Sequence, residues 1–141
     1  MRHSINSALA IAFVLLVGPA PLQAQSCQDE DAMVQISRQD LTGLVDAIKK
    51  ESLQDFENKF HQKSSLSKLN FASGLTGELV ACLDKAGQDP AATPDQKATY
   101  KTRQDAAAKL KEKLDHSRGQ LKSAADAKSA KAILEKLNLA D

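Results

Sequence analysis

The stretch Ser37-Arg38-Gln39-Asp40-Leu41-Thr42-Gly43-Leu44-Val45-Asp46-Ala47-Ile48 decides the fold class. Leu41, Leu44, Val45 and Ile48 recur at i, i+3, i+4 and i+7, the spacing of one face of an α-helix. Ser37 followed by Asp40 matches a capping box, a hydroxyl at the N-cap and an acid at N3. Ser52 and Asp55 repeat that pattern, and Leu53, Phe56 and Phe60 continue the apolar stripe. Residues 38–63 therefore read as one long helix or two joined by a kink. Upstream, Met33, Val34 and Ile36 fit a shorter helical turn.

Working outward, Ser64-Ser65 and residues 70–74 read as breaks, and residues 76–86 as helix again. Leu75, Leu79, Cys82, Leu83 and Ala86 fall on one side of it, and Gly87 stands where a helix ends in a left-handed C′ residue. Residues 87–93 read as the linker. Beyond it, Thr93-Pro94-Asp95-Gln96 is a helix start: Thr caps, Pro takes the first position and Gln sits at N3. Ala107, Leu110, Leu114, Ser117, Leu121 and Ala124 form a thin, small-residue version of a coiled-coil seam, weakened by Gly119. Ala130, Ile133, Leu134 and Leu137 mark a last short helix. No period-2 alternation occurs. The expectation is an all-α chain, a small bundle of three to five helices with Ala/Lys-rich C-terminal helices. Residues 25–141 form a single domain in this reading. Sixteen of the 23 Leu, Ile, Val and Phe residues after position 24 precede residue 90, which places the main core at 33–86 and leaves 94–138 as amphipathic helices. Those helices either dock on the core or project as an arm, docking being the expectation.

The N-terminus has a different character. Arg2 and His3 precede an apolar run over residues 8–17, then Gly18, Pro19 and Pro21 interrupt the chain before Ala24. A basic start, a short apolar stretch and a small residue at the cut describe a bacterial secretory signal peptide, here residues 1–24. Ten residues span only ~15 Å as a helix, too short to cross a bilayer. Export to the periplasm or the medium follows. The alternative is a lipoprotein anchored through Cys27, although Ala24 and Ser26 fit a lipidation motif poorly.

Without Arg2 the chain balances its 18 acidic residues and carries no net charge, so no overall field recruits nucleic acid or anionic membrane. Residues 25–90 hold seven Lys/Arg against eleven Asp/Glu, and residues 91–141 hold the reverse. In an oxidising compartment two cysteines imply one disulfide, Cys27–Cys82, stapling the N-terminal segment to the apolar stretch around Leu79. Closing a loop of about 56 residues contributes roughly 4 kcal/mol.

Candidate chemistry is sparse. Glu57 with His61, and Glu112 with His116, are i,i+4 pairs that could offer two metal ligands each, but nothing in sequence completes either set. Asp29-Glu30-Asp31 reads as acids favouring a helix start. The C-terminal lysines are interleaved with seven acids, and only Tyr100 could stack on a base, so a solvated face is expected rather than nucleic-acid binding. No P-loop, dinucleotide fingerprint, HExxH or GxSxG occurs. The expectation is no catalytic residue, cofactor or metal, and a non-enzymatic protein-binding or structural role through helix faces, with a protein partner or by self-association. The layout of a small exported helical chain, two cysteines about 55 apart and a Lys-rich C-terminal helix, resembles that of the periplasmic acid-stress chaperones. That resemblance implies a holdase whose face around Leu79, Val80 and Leu83 opens in acid.

Overall fold

The computed structural model describes residues 22–140, with side chains from Cys27 onward. Five helices follow in order: α1 (Leu22–Lys50), α2 (Leu53–Asn58), α3 (His61–Gln88), α4 (Pro94–Lys122) and α5 (Ala127–Glu135). No strand occurs among the described residues. All but the last three residues of the expected leader lie outside them.

Buried side chains recur every seven residues on the long helices. α1 buries Cys27, Val34, Leu41 and Ile48 on one row with Ser37 and Val45 beside it, and α4 buries Tyr100, Ala107, Leu114 and Leu121. α3 buries a double row, Ser65, Leu69, Ala72, Thr76, Leu79, Leu83 and Ala86. α3 is the central element, with α1 along one flank and α4 along the other. The C-terminal helices dock. Leu114, Leu121, Ala130, Leu134 and Leu139 pack with Leu41, Ile48, Phe56, Leu69 and Ala72, so the core extends well beyond residues 33–86. A second cluster, at the other end, joins Cys27, Val34, Leu79, Leu83, Ala86, Tyr100 and Ala107.

Several expected boundaries move. Ser37 does not cap: it lies inside α1, 8% exposed, and its hydroxyl donates back to the Val34 carbonyl at 2.9 Å. The heptad row from Cys27 to Ile48 runs straight past it, and continuous burial outweighs a local start signal. The breaks at Ser64-Ser65 and residues 70–74 are absent, because α3 is a single helix. Its small residues serve packing. Ser73 donates to Asp115 of α4 at 2.6 Å, and a Cβ at Gly77 would lie 3.3 Å from Cε of Lys111. Gly87 stays helical, with no positive φ, and the linker shrinks to residues 89–93.

Two start signals hold. Ser52 accepts from the Asp55 backbone N–H at 3.1 Å and opens α2. Thr93 and Gln96 form a reciprocal capping box opening α4, with Pro94 in the first turn. The kink expected within residues 38–63 becomes two turns, at residues 51–52 and 59–60. Phe60 enters α3 with φ 53°. That left-handed conformation is uncommon for a bulky side chain. α5, capped by Asp126 on Ser129 N–H at 2.7 Å, lies across the ends of α1, α2, α3 and α4.

Candidate functional site

The structure brings Cys27 and Cys82 together as a disulfide, with Cα atoms 5.7 Å apart. This bridge ties the start of α1 to the second half of α3. Thirteen residues further along α1, Asp40 pairs with Lys68 of α3. The two links set an antiparallel register and mark one side of the α1–α3 seam. Between them, stepping by three or four residues, come Met33 and Ile36 on α1 and Phe71 and Leu75 on α3. Met33 is 44% exposed, Ile36 60% and Phe71 58%. Leu75 is half-buried against the core. Few large apolar side chains are open to solvent here, and three of them share this strip. Helical spacing sets Asp29 and Glu78 along its edges, beside the Asp40–Lys68 pair. Leu53 and Phe60, also exposed, sit apart at the α2–α3 elbow. There a cleft of about 350 Å³ is lined by Phe56, Phe60, Leu66 and Ala127.

The seam opposite is polar. Asp115 of α4 accepts from Lys111 at 2.6 Å and from Ser73, with Arg118 at 3.1 Å. The Lys111 hydrogen bond, then that of Ser73, hold its carboxyl below the usual range. At the junction of α1, α2 and α3, Lys59 donates to Glu51 at 2.6 Å and lowers that carboxyl's pKa, helped by His61. His61 Nε2 lies 2.8 Å from Glu51 Oε2, off the hydrogen-bond axis, and its ring packs 5.8 Å from that of Phe56. The His61 partner is therefore Glu51, not the Glu57 that i,i+4 spacing suggests. Glu112 and His116 do share a shallow face of α4 beside Val80 and Lys109.

Leu79 and Leu83, expected to form an acid-exposed face, are buried at 4% and 1% exposure, and Val80 is half-buried. They floor a groove between α1 and α4, rimmed by Arg38 and by Arg103, which reaches Asp31 at 3.3 Å. The strip itself went unread in the sequence. Met33 and Ile36 read as part of a short helical turn and Phe71 falls in an expected break, and only the register of α1 on α3 sets all three on one open strip. The one signal available was the seven-residue row from Cys27 to Ile48, whose flank Met33 and Ile36 occupy.

No helix among the described residues is long and apolar enough to cross a membrane. Comparison of the chain with protein-family models, with characterised proteins and with solved structures gives no match.

Proposed function

We propose that this chain is an exported, non-enzymatic module that binds another protein through the Met33, Ile36 and Phe71 strip. The observation that carries the reading is the exposure of these three side chains on a helix pair already cross-linked at one end. A bridged and ion-paired seam is a preorganised surface, so docking costs little ordering entropy. Asp29 and Glu78 along its edges favour a partner segment with apolar residues flanked by Lys or Arg. Export rests on residues 1–24, and the lipid-anchored alternative competes with the bridge, since both require the Cys27 sulfur.

Photo-crosslinking amino acids placed at Ile36 and Phe71 in the producing cell test the proposal. A discrete adduct shared by both positions, and absent from a control at Lys109, is expected. An adduct of twice the chain mass identifies self-association as the mode. No position-specific adduct refutes the reading.

A second reading, the acid-stress holdase, is supported by the buried Leu79 and Leu83 and by carboxylates whose pairing ends in acid. Those of Asp115 and Glu51 link α3 to α4 and α1 to the α2–α3 turn. It requires increased binding of an apolar dye as pH falls from 7 to 2. Unchanged dye binding and helical signal would sink it.

A further inference from the structure

We infer that Cys27, Cys82 and Glu30 form a binding site for a thiophilic divalent cation, Zn²⁺ above all, that opens when the bridge is reduced. The two sulfurs and a Glu30 carboxylate oxygen all lie within 4.8 Å of one another. Cys27 is fully buried, while Glu30 and Cys82 are half-buried, so the cluster has one closed side and one open to solvent. Glu30 sits one turn after Cys27 on α1, at i+3, which sets its carboxylate over the bridge.

The second observation concerns that carboxylate. Its Oε2 is shut off from solvent and has no hydrogen-bond partner among the described residues. A carboxylate oxygen in such a position lacks the donor that normally offsets its desolvation, and a disulfide has no hydrogen to offer. A bound cation supplies the missing positive charge. With the bridge reduced, Zn²⁺ at ~2.3 Å from each thiolate and ~2.1 Å from the carboxylate needs only a small separation of the two cysteines. Their Cα distance of 5.7 Å accommodates a shared ion without moving either helix far. Water takes the fourth position on the open side.

The chemistry balances with an external dithiol as reductant. Its thiolate attacks one bridge sulfur, preferentially that of the more exposed Cys82, and a mixed disulfide resolves to oxidised dithiol and two protein thiols. Zn²⁺ then displaces two protons, one from each thiol, while the Glu30 carboxylate joins as the third protein ligand. Exchange with the oxidised dithiol reverses the sequence: the two cysteine sulfurs are oxidised to the bridge, the dithiol is reduced, and the ion is released.

Cobalt titration of the purified protein under non-thiol reductant provides the test, with helical circular dichroism followed throughout. Expected are one Co²⁺ per chain, a thiolate-to-cobalt charge-transfer band, displacement by Zn²⁺, and no band in the oxidised protein. Glu30→Gln should weaken affinity by roughly tenfold or more, the least that losing even an outer partner of a metal site costs, while keeping the band. Asp29→Asn, one residue away, should leave affinity unchanged. Absence of the band, equal affinity in Glu30→Gln, or equal binding before reduction would each overturn the inference. So would a reduced chain that loses its helicity and fails to regain it on adding metal.

Discussion

Replacing both bridge cysteines, Cys27→Ala with Cys82→Ala, should remove a large share of the protein's stability. The sulfurs join residues 55 apart in sequence. For a loop of that length the chain-entropy relation gives roughly 4 kcal/mol at 25 °C. Cys27 is fully buried and truncation there leaves a small void, which adds about 1 kcal/mol. Against a typical total of about 5–15 kcal/mol, the sum decides whether the fold persists at elevated temperature. Urea unfolding followed by helical circular dichroism, with a chelator present, reads both stability and slope. The midpoint should fall and the slope rise, because an unfolded chain freed of its cross-link exposes more surface. Reduced wild-type protein should behave like the double variant to within about 1 kcal/mol. A midpoint and slope unchanged from the oxidised protein would refute the reasoning, since the bridge would then constrain neither state.

Other perturbations follow from single residues. Ser65 is fully buried and its hydroxyl lacks a partner, so Ser65→Ala should be neutral or stabilising by up to about 1 kcal/mol in the same urea assay, against the usual loss for a core change. Phe60 is 74% exposed with φ 53°, so Phe60→Asn should stabilise by several tenths of a kcal/mol, roughly the relief of placing a residue that tolerates this backbone; a clear loss would show the ring contributing packing. Thr93→Ala removes the α4 capping box and should cost about 1 kcal/mol by thermal melting. Asp115, Glu51 and Asp126 have carboxyls held below their unfolded values, so the unfolded chain binds protons more readily. Their stabilisation is full above about pH 5 and lost as pH falls through the lower folded values. Stability measured from pH 7 to pH 2 should decline over that window, and Asp115→Asn should flatten the decline.

Much of this architecture can be read from residues alone, and the exceptions share a cause. The spacing of Leu41, Leu44, Val45 and Ile48 announces helix, and Ser52 and Thr93 announce starts, because each signal is satisfied within one turn of chain. Ser37 carries the same signal as Ser52 yet fails to cap. The difference is that Val34 and Leu41 on either side of it face the same neighbour, a fact about α3 rather than about α1. The serines at 64, 65 and 73 mislead in the same way, their small size being what lets helices approach on both flanks of α3. The strip and Glu30 belong with these cases. Whether Met33 or Phe71 is covered depends on which flank of a double-row helix each neighbour takes. Glu30 Oε2 is shut off from solvent without a donor only once α1 is seated on Cys82.

The two flanks of α3 differ in the connection that closes each of them. α4 follows α3 through a five-residue connection, whereas α1 reaches α3 across the ten residues that hold the α2 elbow, and α5 lies across the ends of all four. The shorter connection and larger interface of the α3–α4 hairpin favour it as the first unit to consolidate, with α1 arriving afterwards as a strap on a finished surface. The bridge then acts on the last step of assembly, converting the docking of α1 from a reversible association into part of a closed loop. A chain made without it would possess its hairpin and lose α1 first. The surface at stake would be the one that carries Met33 and Ile36.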